Sequence, residues 1–149
     1  MNESKAHITV DIRWETIDTV LLDMDGTLLD KFFDDYFWET YVPKIYAEKH
    51  KLSAETAEQE LLAKYRSVEN TLQWTDLNYW SQRLGLDIPL LKIEISHLIN
   101  VHDHVHSFLH YVRAAGKKLC LVTNAHSKTL EIKLNKTGIG PLFDTIICS

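Results

Sequence analysis

Thr19-Val20-Leu21-Leu22-Asp23-Met24-Asp25-Gly26-Thr27-Leu28-Leu29-Asp30 changes character halfway along. Four strand-like residues run into two aspartates one residue apart, followed by Gly-Thr and a hydrophobic pair. Side chains at i and i+2 of a strand point the same way, so Asp23 and Asp25 can meet at one site near the strand's C-terminal end. Gly26 lets the backbone turn there. In open α/β sheets this end of a strand faces the ligand crevice. One carboxylate of such a pair can attack phosphorus and hold magnesium, which prefers hard oxygen ligands and commonly takes one or two carboxylates plus substrate phosphate. The other can move a proton to or from the leaving oxygen. Spacing alone also leaves open a solvated turn after a strand; a calcium loop is disfavoured because its alternating acids and terminal Glu are missing.

Downstream the period changes. Phe33, Phe37, Tyr41 and Ile45 recur every four residues and predict an amphipathic helix that Pro43 kinks or restarts. Ser53 reads as an N-cap, with Ala57, Leu61, Tyr65 and Val68 as the buried stripe of the next helix. Thr75 is expected to cap a third helix that stops at Gly85, and Pro89 to open a fourth over residues 90–98. Asp103 is expected to cap a helix burying Val105, Phe108, Leu109 and Val112. Lys118-Leu119-Cys120-Leu121-Val122-Thr123 is nearly all apolar, as in a central parallel strand. Ser127 is expected to cap another helix ending at Gly138, and residues 143–148 to form a third core strand. Residues 8–10 read as a short extra strand. The order strand, helices, strand, helix, strand predicts an α/β fold with a parallel sheet. The insertion between the first two strands, ~75 residues, far exceeds an ordinary βα connection. It reads equally as a module closing over the site or as one helical layer on the sheet.

Composition excludes several classes. The chain has 149 residues, 45% of them hydrophobic and 25% charged, enough to bury a core. Its net charge of −5 offers no basic footprint for nucleic acid. No apolar leader follows the polar residues 1–5, and no stretch is long enough to span a membrane. Cys120 and Cys148 are expected in buried strands as small hydrophobes. A reducing cytoplasm fits these features. His102, His104 and His106 alternate, but in a segment entering a helix, where i and i+2 diverge.

Asp23-Met24-Asp25-Gly26-Thr27 resembles the first motif, D-x-D-G-T, of the haloacid-dehalogenase-like (HAD) phosphohydrolases. Leu119-Cys120-Leu121-Val122-Thr123-Asn124 resembles the second, a Thr or Ser closing a hydrophobic strand. The wider text, including Tyr36-Phe37-Trp38, Tyr79-Trp80-Ser81 and Leu121-Val122-Thr123-Asn124-Ala125-His126, is similar to the bacterial GMP/IMP-type 5′-nucleotidase branch. The resemblance implies a partial Rossmann-like parallel sheet (residues 1–30 and 101–149) with an inserted α-helical cap (residues 31–100). It implies Asp23 as nucleophile and Asp25 as general acid and then base, with both contributing to a Mg2+ site, and Thr123 and Asn124 as phosphate ligands. Dehalogenases of the superfamily lack an acid at the second position, P-type ATPases carry Thr there and phosphonatases Ala. Asp25 therefore points to phosphate esters or to phosphoryl transfer within a sugar phosphate. Asp30, Lys31 and Asp34, just past the turn, are candidates for substrate selection. Some of the crowded aromatics can stack on a purine. A loop-exposed role is expected of His126.

The implied activity is magnesium-dependent hydrolysis of purine 5′-nucleotides through an aspartyl-phosphate. The alternatives are a sugar-phosphate phosphatase or mutase, and a non-catalytic domain that binds phosphate or a protein partner. The resembled family also uses a Lys and an acidic pair that lie beyond its third strand. Lys128, Lys133 and Lys136 precede that strand, the wrong place for the family's Lys. The chain is thus expected to be the N-terminal part of an enzyme, inactive alone. Its first strand would be an open edge able to pair with a second copy.

Overall fold

A computed structural model describes residues 11–149. The strand expected at residues 8–10 lies outside them. Three parallel strands, β1 (Thr19–Leu22), β2 (Lys118–Thr123) and β3 (Thr145–Cys148), form one sheet in the order β1-β2-β3. Leu22 of β1 lies opposite Leu121 of β2, and Thr123 opposite Cys148 of β3. The C-terminal ends of the strands therefore share one rim. β2 is the buried centre, with Leu119 and Leu121 fully enclosed. The edges are more open: Leu21 of β1 is 67% exposed, and Cys148 is exposed where a buried strand residue was expected.

After β1 the chain makes a tight turn. The Met24 carbonyl accepts from the amides of Thr27, Leu28 and Leu29, and the Gly26 amide donates to the Leu29 carbonyl. Gly26 has φ +79°, a conformation open to glycine and strained for other residues. Residues 28–30 then run beside residues 100–102: the Asp30 amide donates to the Asn100 carbonyl at 3.1 Å, and the His102 amide to the Leu28 carbonyl at 2.9 Å. The chain leaves the sheet and returns to it at neighbouring points.

Between these crossings lie α1 (Phe32–Tyr36), a π-helical turn (Phe37–Tyr41), α2 (Val42–His50), α3 (Ala54–Val68), a 3₁₀ turn (Leu72–Trp74), α4 (Leu77–Leu84) and α5 (Ile88–Glu94). The π turn corrects the expected stripe. It inserts one residue into the helical repeat, so burial runs Phe33, Phe37, Val42, Tyr46 rather than holding a spacing of four. Tyr41 and Ile45 are only half-buried. Pro43 sits in the first turn of α2, where its missing N–H is least costly. Ser53 caps α3 as expected, its Oγ accepting from the Thr56 amide at 3.1 Å. The cap of α4 is Asp76 rather than Thr75; its Oδ1 accepts from the Asn78 and Tyr79 amides. Asp87 likewise caps α5, which is shorter than expected and gives way to a 3₁₀ turn at Ser96–Leu98.

The return to the core runs through α6 (Val105–Ala114) to β2, then α7 (Ser127–Thr137) to β3. Asp103 does not cap α6; the preceding residue is His104 at φ +68°, and no side chain caps it. On α6, Val105, Leu109 and Val112 are buried, but Phe108 is 38% exposed. The cap of α7 is His126, whose Nδ1 accepts from the Lys128 amide at 3.3 Å, so Ser127 is the first helical residue. One apolar cluster joins Phe33, Phe37 and Trp80 of the insertion to Met24, Leu119 and Leu130 of the sheet region.

Trp80 is 1% exposed and meets Trp38, Tyr65, Trp74 and Tyr79. Its indole N–H donates to the Trp74 carbonyl at 2.9 Å. Trp80→Ala is expected to destabilise the protein by about 3–5 kcal/mol, the usual cost of emptying such a site. Urea unfolding followed by far-UV circular dichroism measures this.

Candidate active site

Parallel pairing of β1 with β2 sets the Asp23–Asp25 turn beside the loop that follows Thr123. A cavity of about 820 Å³ opens at that rim, between the sheet and the inserted helices. Asp23, Asp25, Thr123 and Asn124 line one end, and Trp38, Tyr65 and Trp74 line the insertion side. Asp23 is exposed and Asp25 half-buried. Thr123 is 6% exposed; its Oγ1 accepts from the Ala125 amide at 3.1 Å, which leaves the hydroxyl proton free to donate. Asn124 lines the same end, and its carbonyl accepts from the Ser149 hydroxyl.

The three residues proposed for substrate selection separate. Lys31 and Asp34 line the cavity. Asp30 does not; its Oδ1 accepts from the Phe32 amide at 3.1 Å and its Oδ2 from the Asn100 side chain at 3.0 Å. Its carboxylate fastens the start of α1 to Asn100, where the chain returns.

Lys133, set aside on sequence because it precedes the third strand, reaches the site by another route. It projects from the buried face of α7, one turn after Thr129, and is 1% exposed. Its Nζ donates to Asp25 Oδ1 at 2.6 Å and to Asp34 Oδ2 at 2.5 Å. Asp34 Oδ1 accepts in turn from Lys92, a second buried lysine, on α5. The clue was present in the pattern. Lys92 lies on a stripe with Ile88, Leu91 and Ile95, and Lys133 on one with Thr129 and Leu130; lysines on buried faces need paired partners.

These contacts shift charge states in opposite directions. Burial raises the Asp25 carboxyl above its ordinary value, against the lowering effect of Lys133, with Asp34 and Asp23 adding repulsion. Burial acts the same way on Asp34, but there Lys92 and Lys133 together prevail and hold it below the ordinary carboxylate range. Burial lowers Lys92, partly offset by Asp34.

His126 is not a free loop residue. It lines the cavity, half-buried, with Nε2 3.7 Å from Asp76 Oδ1 of the insertion. Nearby, Lys128 Nζ donates to Asn78 Oδ1 at 3.0 Å. Among the described residues no group of three or more His, Cys, Asp or Glu side chains is placed to hold a metal. The hard oxygens of Asp23 and Asp25 suit magnesium, which commonly takes one or two carboxylates and completes its shell with substrate and water.

A family model described as haloacid dehalogenase-like hydrolase matches residues 17–149. The chain belongs to that family. It is 40% identical over 138 residues to the GMP/IMP nucleotidase YrfG of Escherichia coli K12, a match covering 93% of the chain and 62% of the relative; the protein of the same name from Shigella flexneri matches equally. The chain thus spans 62% of the length of these curated relatives. Among solved structures, a HAD phosphatase from Thermococcus onnurineus superposes with a TM-score of 0.77 at 25% identity, covering 89% of this chain and 62% of that one. The HAD-hydrolase YfnB of Bacillus subtilis shares the fold, with a TM-score of 0.56 at 18% identity, over 89% of this chain and 65% of that one.

Because Lys92 and Lys133 hold Asp34 below the ordinary carboxylate range, its contribution to stability is complete at and above that range. It is lost as pH falls through the lower folded-state value. Asp34→Asn is expected to cost about 3 kcal/mol at pH 7, since it leaves buried lysine charge uncompensated. The difference from wild type should shrink below roughly pH 4. Denaturant unfolding of both proteins across pH 2–7 tests the sign.

Proposed function

We propose that this protein is a phosphomonoester hydrolase of the HAD family acting on purine 5′-nucleotides, with GMP and IMP as the substrates suggested by the curated relatives it matches. The observation that carries the reading is a cavity lined jointly by Asp23, Asp25, Thr123 and Asn124, with aromatic rings on the insertion side. An Asp23 carboxylate oxygen attacks phosphorus, and the P–O bond to the nucleoside breaks. Asp25 gives its proton to the departing oxygen, then takes one from the water that hydrolyses the aspartyl-phosphate. Inorganic phosphate leaves and Asp23 is restored. A carboxyl raised by burial suits a group that must first hold a proton. Thr123 donates its hydroxyl to a phosphoryl oxygen, and Asn124 adds a polar contact. Magnesium, held by Asp23 and Asp25, would neutralise phosphate charge.

In the same reading residues 31–100 are a cap over the cavity, and 1–30 with 101–149 the core. Support comes from the adjacent crossings at Asp30 and Asn100 and from the His126–Asp76 and Lys128–Asn78 contacts across the cleft. Trp74, 44% exposed at the cavity, offers a face on which a purine can stack, with Lys31 and Asp34 nearer the reacting end. A cytoplasmic location is part of the proposal; both cysteines are free, and no helix among the described residues is long and apolar enough to cross a membrane.

In the full-length natural protein, Asp23→Asn should abolish magnesium-dependent phosphate release from GMP and IMP. Asp25→Asn should cut turnover ~10²–10⁴-fold, the usual share of proton transfer. A phosphate-release assay decides both, and normal turnover by Asp23→Asn would remove the nucleophile. The 149-residue chain alone is expected to lack this activity and to self-associate through β1, whose outer edge carries no strand partner among the described residues. Light scattering should report dimers or larger species, and Leu21→Lys should return them to monomer.

A further inference from the structure

Two lysines lie where lysine is costly to place. Lys92 and Lys133 are each 1% exposed, and an ammonium taken out of water needs close partners. One carboxylate joins them: Asp34 Oδ1 faces Lys92 at 3.1 Å and Oδ2 faces Lys133 at 2.5 Å. Lys133 then extends the chain to Asp25 Oδ1 at 2.6 Å. The four groups come from four separate elements: the turn after β1, α1, α5 and α7. Aromatic rings close the far end, with Lys92 Nζ 4.3 Å from the Phe37 ring centre and 4.9 Å from that of Phe33.

We propose that Lys133 is a positioning residue for Asp25, aimed by the Asp34–Lys92 pair so that the second oxygen of Asp25 faces the leaving group. The inference rests on the reading of Asp25 as acid and base. A carboxylate held only by its stem turns broadly about its last torsion. A bond at Oδ1 removes that freedom and leaves Oδ2 as the working oxygen, so that the share of Asp25 in a magnesium site would fall to its main-chain carbonyl. Lysine's own stem is flexible, so a single carboxylate would hold Lys133 loosely; two carboxylates fix its ammonium. Asp34 is engaged at both oxygens by cations, so it braces Lys133 without competing for the transferred proton. A purely structural role does not call for this arrangement, because buried ion pairs can often be replaced by apolar side chains without loss of stability. All four residues line the cavity that holds Asp23. Since Asp34 and Lys92 belong to the inserted helices, the seating of the insertion is transmitted to Asp25.

The test compares two esters in single turnover with the full-length natural protein. One is the alkyl monoester it turns over fastest, GMP under the reading above; the other is p-nitrophenyl phosphate, whose phenolate departs without needing a proton. Lys133→Met should slow nucleoside release about 10²-fold, the effect of a small misplacement of a reacting group, with substrate affinity little changed. It should slow nitrophenolate release far less. Any inactive fraction lowers both rates equally, so the ratio of the two losses is insensitive to partial misfolding. Asp34→Asn should show the same selectivity in weaker form, and Lys133→Arg, which keeps the charge, should recover part of the rate. Equal losses on both esters, or no loss on either, would overturn the proposal. Asp25→Asn is the control: if it too fails to discriminate between the esters, the role given to Asp25 is wrong, a failure distinct from that of Lys133 alone.

Discussion

Parallel pairing between β1 and β2 is the constraint from which the rest of the molecule follows. Two strands running the same way cannot be joined by a hairpin; the chain must cross back over the sheet before it can start the second strand. Here that crossing carries six helices, α1 to α6, and the turns between them. The same pairing puts the ends of both strands on one rim, so the Asp23–Asp25 turn and Thr123 become neighbours although far apart in sequence. The cavity forms because the crossing leaves and returns at that rim.

The charges at the cavity floor obey a second constraint. Apolar packing draws Phe33, Phe37 and Trp80 together and carries the neighbouring polar side chains inward with them. Lys92 and Lys133 are enclosed in this way, and each must meet an anion. Asp34 serves both, which ties α1, α5 and α7 to one point. Folding of the insertion and geometry at Asp25 are therefore not independent.

The sheet was legible from sequence because its signals are short and local. An apolar run ending in Thr123 and another ending in Asp23 needed no tertiary information, and the left-handed glycines at 85 and 138 marked helix ends correctly. Errors came where one residue decides. Asp76 outcompetes Thr75 as a cap, and His126 displaces Ser127, because side-chain reach to a free amide depends on backbone angles that sequence does not display. The π turn at Phe37–Tyr41 shifted a stripe that looked regular. Lys133 was missed for a different reason. A family pattern speaks only of its place along the chain, whereas its contact with Asp25 depends on which side of α7 meets the cavity, a matter of packing between elements distant in sequence.

The paired crossings have a consequence for how such a protein can change over time. Residues 30 and 100 sit side by side, with the amide of one 3.1 Å from the carbonyl of the other. The backbone between them leaves and returns through one narrow neck, while its side chains pack on α7 and the sheet region. A segment attached in this way can lengthen, shorten or be exchanged for another without displacing the strands on either side, because the gap its removal opens is already closed by hydrogen bonds. The strands and the rim that carries Asp23 and Thr123 can stay constant while the chamber above them is rebuilt, provided each new insert again supplies an anion for Lys133.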